Sequence, residues 1–546
     1  LNATNVATSI EQNRILQGGN DLKKRLLTWF LLGIVLIASA AASAEPHYGG
    51  TFRGFTSADP KTLDPAALSS WDQAVMAANV LEGLVRLSPS GQEIEPGVAE
   101  SWVASEDGLV WQFEIRRDAK FHNGDAVTAA DVKYSFERVI NPKTRSPRAW
   151  IFNAVAGVEE FRAGEAPEVS GIRVRDEHLL EIELVEALSP FLAMLASPSA
   201  AVVSERAVDE YGDLFGQNVV SAGPFKLSEW RQNLDLTLDA FEDYWAGRPY
   251  LDHLQFRFIL DENTRMMELM AGQLDWAWIP PAYYMQVSRD PNFKDSIRQA
   301  DTLHVGYLAV NMEKEPFGSN LALRQAIRYA IDEEAVKDSL QGRENIAVGP
   351  FPPGFLGHDP EATPYPRNVE MAKKLMAEAG YPDGIDQTFT VMCQPYNNLI
   401  KIMEIYQQNL REIGIDVEIK PTEGGEYLSA LETGNYELAW AATVADYADP
   451  DAFVYPLYYS GSIDGGGNVA RYINPDIDRL IEEGRLQTDS KKRQAIYEEI
   501  ARIAQEDLPY INLSHNIWVD LTSPKVKNHV PSAMDMHIFH RVWVEQ

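Results

Sequence analysis

The chain has 546 residues, too many for one ordinary hydrophobic core, so two or three lobes with room for a large cleft are expected. Its 45% hydrophobic and 23% charged residues are those of a soluble globular protein and exclude a collagen-like, coiled-coil or largely disordered chain. With 48 basic against 80 acidic residues the net charge is -32, which repels phosphate backbones and argues against nucleic acid as a partner; the charge serves solubility, or gives a cleft a field that attracts cationic solutes.

Residues 1–21 are polar and without pattern and read as a doubtful N-terminal extension, with initiation expected at Leu22. Lys23-Lys24-Arg25 is then followed by an apolar run over 26–38 and small residues over 39–44, so residues 22–44 read as a cleavable Sec-type signal peptide. Ala42-Ser43-Ala44 is an A-x-A-like cleavage site, which puts the mature start near Glu45. The apolar run is shorter than the roughly 20 residues of a spanning helix. No cysteine stands at the cleavage region to be lipidated, so the expectation is a periplasmic protein without a lipid anchor. Cys393 is the single cysteine, which excludes an intramolecular disulfide and a cysteine-based metal cluster.

Further along, Leu109, Trp111, Phe113 and Ile115 alternate as a strand with one buried face, and the turn Ser105-Glu106-Asp107-Gly108 before them predicts a hairpin that presents Trp102 and Trp111 to one core. Thr128-Ala129-Ala130-Asp131 has the form of a capping box ahead of Val132, Phe136, Val139 and Ile140 at helical spacing. Leu234, Leu236 and Leu238, then Leu254, Phe256, Phe258 and Leu260, predict two more half-buried strands. Leu323, Ala326, Ile327, Ala330 and Ile331 predict an amphipathic helix, and residues 349–357 a rigid surface loop. Asn368 caps a predicted helix whose stripe is Met371, Leu375, Met376 and Ala379, with Gly380 at a left-handed C-cap. Strands and helices interleave from end to end, so the fold class is mixed α/β, its lobes joined by crossing strands that suit a hinge.

No G-x-S-x-G elbow, P-loop or H-E-x-x-H is present. Gly465-Gly466-Gly467 does not open a helix after a strand and reads as a flexible loop. His537 and His540 lie in an alternating, strand-like stretch over 536–544, which sends them to opposite faces and argues against a shared metal. The acidic pairs Glu159-Glu160, Glu333-Glu334 and Glu482-Glu483 fall in helix-like segments and read as solvated faces. No catalytic residue, metal site or cofactor site is expected.

Val98-Ala99-Glu100-Ser101-Trp102, Ser105-Glu106-Asp107-Gly108, Phe113-Glu114-Ile115-Arg116 and Lys120-Phe121-His122-Asn123-Gly124 together resemble the signature of family 5 extracellular solute-binding proteins of ABC transporters, of oligopeptide- and dipeptide-binding type. The resemblance continues through Asp131-Val132-Lys133-Tyr134-Ser135-Phe136, Gly223-Pro224-Phe225-Lys226-Leu227, Tyr244-Trp245-Ala246-Gly247, Arg324-Gln325-Ala326-Ile327, Glu378-Ala379-Gly380-Tyr381 and Asp446-Tyr447-Ala448-Asp449-Pro450. It implies a two-lobed periplasmic binding protein fold of type II, cluster C-like, with mixed sheets, a hinge and an extra domain. Lobe I would comprise 45–84, 216–305 and 516–546; the additional domain 85–215; lobe II 306–515. A monomer would capture a peptide, or another amino-bearing solute, between the lobes and deliver it unchanged to ABC permease subunits in the inner membrane.

The resemblance also implies site residues. Asp446 would pair with the ligand's α-ammonium, and Trp440, Tyr447 and Trp71 would line the cleft with flat rings. Gln394 stands before Pro395-Tyr396-Asn397, where dipeptide-binding relatives carry a carboxylate-gripping arginine; that departure disfavours a free dipeptide and leaves longer peptides and opines open. A secreted peptidase or amidase, and a periplasmic holdase for unfolded chains, remain the alternatives at this point.

Overall fold

Alternation and capping chemistry resolve into three main sheets in the computed structural model, which describes residues 46–362, 365–463 and 467–545. The N-terminal extension, the signal peptide and two of the three clustered glycines, Gly465 and Gly466, lie outside the described residues.

The first sheet has the strand order Thr51–Thr56, His253–Phe258, Asp235–Ala240, Phe225–Arg231, with the first pair parallel and the others antiparallel. Leu254, Phe256, Leu236 and Leu238 are buried from it, whereas Leu234 and Leu260 fall just outside their strands and are 51% and 77% exposed. The buried alternation thus stops short of both, since Leu234 lies one residue before its strand and Leu260 two residues after its own. A second, antiparallel sheet joins Ala99–Ala104, Val110–Ile115, Leu179–Glu183 and Ile172–Asp176. Its first two strands are the expected hairpin: Gly108 takes φ 72° in the turn, and Trp102 and Trp111 pack on the same core.

The third sheet has eight strands. Its spine is Tyr510–Thr522, a 13-residue strand that pairs at one end with His304–Val310 and at the other with Ile297–Asp301 and Trp276–Trp278. Leu438–Val444, Thr388–Cys393 and Asp416–Pro421 extend the sheet beyond His304–Val310. Three apolar cores surround these sheets, and residues near the two ends of the long strand belong to different ones: Val519 and Leu521 to the core of Phe52 and Trp276, Ile511 and Leu513 to that of Phe317 and Phe389.

Helix ends follow local chemistry. Thr128 and Asp131 form the reciprocal capping box of Ala129–Ile140, and Asn368 accepts from the Met371 amide at the start of Val369–Glu378. Leu321–Ala330 buries Leu323, Ala326, Ile327 and Ala330 as its spacing predicts. Two helical expectations need correction. Met371 is 37% exposed, because the inward stripe of this helix runs through Ala372, Leu375 and Met376. Glu333 is not on a solvated face: it is 7% exposed and ion-paired with Arg328 at 2.5 Å, so burial is offset by a partner that sequence spacing did not reveal. The loop over 349–357 is anchored inward by the buried Phe351. Of the strand read over 536–544, only Trp543–Val544 forms, because the preceding residues cross the core without a strand to pair with.

Several motif residues prove to be scaffold. A Cβ on Gly223 would stand 2.3 Å from the Val80 carbonyl oxygen, so only glycine fits that close approach. Tyr244 donates to buried Glu82 at 2.6 Å and accepts from Arg86, whose guanidinium, with that of Arg116, covers the Trp245 ring.

Candidate functional site

The segment 446–451 leaves the C-terminal end of the strand Leu438–Val444 and divides its three carboxylates between interior and cavity. Asp449 accepts two 2.7 Å bonds from Arg493, a bidentate pair with both side chains about 10% exposed. Asp451 is wholly buried; it accepts from the Tyr447 hydroxyl at 2.8 Å and faces Arg485 at 3.7 Å. Burial pushes its carboxyl up to about 6, with Arg485 pulling the other way. These inward bonds fix the segment and leave Asp446 turned outward, its side chain 53% exposed.

Asp446 and Tyr447 line a cavity of about 580 Å³ together with Trp150, Glu186, Tyr455 and Arg485. Arg485 stacks over the Tyr455 ring at 3.7 Å, and Trp150 lies 6.0 Å from Tyr447. The expected role of Tyr447 as an open ring face is limited by its burial, since only 7% is exposed. Sequence reasoning missed Arg148, whose Nη1 donates to Asp446 Oδ1 at 2.7 Å from 298 positions away. No local signal marks that pairing.

Trp440 and Gln394 line a different cavity, of about 400 Å³, with Trp278, Trp518, Arg343 and Glu344. The indoles of Trp278 and Trp518 stack 4.7 Å apart in its lining, to which Leu438–Val444 contributes Trp440 and the residue after Thr388–Cys393 contributes Gln394. Burial pushes the Glu344 carboxyl up to about 7 and the His304 imidazole down to about 4, so both groups favour their neutral forms here. The structure thus brings the expected residues together in two pairs rather than one site. Trp71 opens the helix Trp71–Val80, but its side chain lies outside the described residues.

Both cavities are clefts with aromatic walls and a few charged groups, the form of a small-molecule site. The model of the bacterial extracellular solute-binding proteins, family 5, middle region, matches residues 93–465. The chain belongs to that family. Di/tripeptide-binding protein 2 of Pseudomonas aeruginosa is 29% identical over 94% of this chain and 98% of its own length. Heme-binding protein A of Haemophilus influenzae is also 29% identical, over 93% of this chain and 95% of that protein. Among solved structures, the periplasmic binding protein DppA of Helicobacter pylori, in complex with the peptide STSA, matches with a TM-score of 0.76 at 28% identity, covering 93% of this chain and all of that one. The family 5 chain therefore has the two-lobed α/β binding-protein fold expected from its sequence. Among the described residues, no helix is long and apolar enough to cross a membrane.

Proposed function

We propose that this family 5 protein is the periplasmic substrate-binding subunit of an ABC importer, capturing a peptide or closely related amino-bearing solute and handing it unchanged to a membrane permease. The observation that carries the reading is Asp446: a carboxylate projecting into an aromatic-walled cavity while Asp449 and Asp451, on the same segment, are locked inward. A carboxylate so placed prefers a primary ammonium over any neutral group. Arg148 pairs with this carboxylate, and on this reading the ligand's α-ammonium takes its place.

The lobes of this reading are 45–84 with 216–305 and 516–546, and 306–515, with 85–215 as the additional domain carrying Arg148 to the edge of the cavity. Closure follows from contacts to ligand that only the closed form makes. The protein performs no chemistry on its ligand, works as a monomer and reaches the periplasm through a cleaved signal peptide. Calorimetry of the purified protein with tri- to pentapeptides, alongside N-acetylated versions of each, tests it. Free peptides bind, blocking the amine abolishes the heat, and mass spectrometry recovers the peptide intact. Equal binding of acetylated peptides, or cleavage products, would overturn the reading.

A further inference from the structure

A second polar cluster, none of whose members lines either cavity, lies where the end of the long strand meets the C-terminal segment. Asp520, on Tyr510–Thr522 and opposite Trp278 in the ladder, is wholly buried. His529 and His537 reach it from the C-terminal segment, and one ligand atom from each of the three residues lies within 4.8 Å of the others. His529 Nε2 is 3.0 Å and His537 Nδ1 3.9 Å from the same oxygen, Asp520 Oδ2.

The hydrogen-bond accounting leaves a gap. His537 Nε2 lies 3.0 Å from Asp535 Oδ1, and a carboxylate only accepts, so the imidazole N–H is on Nε2. The bare lone pair of Nδ1 then points toward Asp520, makes no hydrogen bond and is wholly buried. His529 Nε2 lies within hydrogen-bond reach of Asp520 Oδ2, but nothing donates to the His537 lone pair beside it, and two acceptors facing each other in a dry interior repel unless a positive centre stands between them. An imidazole whose far nitrogen donates to a carboxylate is also the usual arrangement of a metal-bound histidine, its tautomer and ring angle set from behind. The backbone is held to suit: Asn79 Nδ2 donates to the His537 carbonyl at 2.8 Å, and Asn79 Oδ1 accepts from the Phe539 amide at 2.9 Å. The Trp276 ring, 4.4 Å from His537, supplies an apolar wall.

From this geometry we infer that Asp520, His529 and His537 bind one zinc ion, which ties the C-terminal segment to the sheet. Two imidazoles and one carboxylate suit borderline zinc rather than magnesium or calcium, which take oxygen ligands. Ligand atoms in a tetrahedral zinc site lie somewhat more than 3 Å apart, given bonds of about 2.0–2.1 Å. The 3.0 and 3.9 Å separations around Asp520 Oδ2 bracket that spacing. None of the three ligands lines either cavity, so the ion's role is structural, with a water or the second Asp520 oxygen in its fourth position.

The test uses the untagged full chain, stripped with chelator, dialysed and titrated with zinc chloride. One equivalent binds by calorimetry, survives gel filtration as about one zinc per chain by elemental analysis, and raises Tm. Cobalt(II) at the same site gives the intense visible bands of a tetrahedral complex. Asp520→Asn, His529→Gln and His537→Gln each lose the bound metal, and Asp535→Asn weakens zinc binding by about ten-fold. Circular dichroism confirms that each variant folds; should any fail to fold, the wild-type stoichiometry and cobalt spectrum decide. Wild-type protein that retains no zinc and shows no Tm shift overturns the inference and leaves a proton in the gap. Folded Asp520→Asn that binds zinc as tightly as wild type overturns it equally.

Discussion

Arg148 Nη1 donates to Asp446 Oδ1 at 2.7 Å, joining two segments 298 positions apart at a carboxylate that lines a cavity. The pair is partly exposed, with side chains 32% and 53% accessible, so it contributes only about 0–1 kcal/mol and can be exchanged for a ligand ammonium. Asp446→Ala is expected to weaken peptide binding by about 10- to 100-fold, the worth of a charge-assisted hydrogen bond of roughly 1.5–3 kcal/mol. Arg148→Ala, by removing the competitor, is expected to tighten binding by up to about five-fold. In the Asp446→Ala background the second substitution should change nothing, which calorimetry on the four proteins checks; an equal effect of Arg148→Ala in both backgrounds would show that the two residues act separately.

The bidentate pair of Asp449 and Arg493 supports Asp446 from behind. Arg493→Met leaves a nearly buried carboxylate without its partner, which costs about 3–5 kcal/mol. Urea denaturation is expected to show a lowered midpoint, and peptide affinity to fall with it because the segment 446–451 loses its inward anchor.

Asp451 makes stability depend on pH in a definite direction. Its folded carboxyl sits at about 6, above the unfolded value, so between roughly pH 4 and 6 the folded chain holds more protons than the unfolded one. The contribution is fully present below about pH 4 and is lost as pH rises through 6, up to about 3 kcal/mol for a shift of about two units. Asp451→Asn keeps an acceptor for Tyr447 and cannot ionise. Its stability relative to wild type should therefore grow from pH 4 to pH 7 in denaturant titrations; a constant difference would contradict the assignment.

Gly223 is expected to tolerate nothing larger. With an added Cβ 2.3 Å from the Val80 carbonyl oxygen, Gly223→Ala forces backbone apart and should cost about 1–3 kcal/mol. Thermal unfolding measures it, and an unchanged Tm would show that the two segments separate freely.

What could be read in the sequence is what is decided locally. The capping box of Thr128 and Asp131, the hairpin turn at Gly108 and the stripe of Leu323, Ala326 and Ile327 depend on neighbours within a few residues, and all three form as expected. The site is different in kind. Asp446 was identified through family resemblance, but its partner Arg148 comes from a distant segment, and the separation of Asp446 from Gln394 into two cavities depends on how whole strands pack. Glu333 misled for the same reason, because the guanidinium that neutralises it approaches from the preceding helix. Along the chain the histidine nearest His537 is His540; in space His537 faces Asp520 and His529.

The strand Tyr510–Thr522 gives the molecule a mechanical character. A change of angle between the structures at its two ends cannot be taken up at one loose joint, because the strand stays laddered to its neighbours along nearly its whole length. The deformation must instead spread as torsion through a continuous ribbon, as in a leaf spring. On the proposed reading of a carrier whose lobes close on a ligand, such an element would store a restoring force that reopens them along the same path.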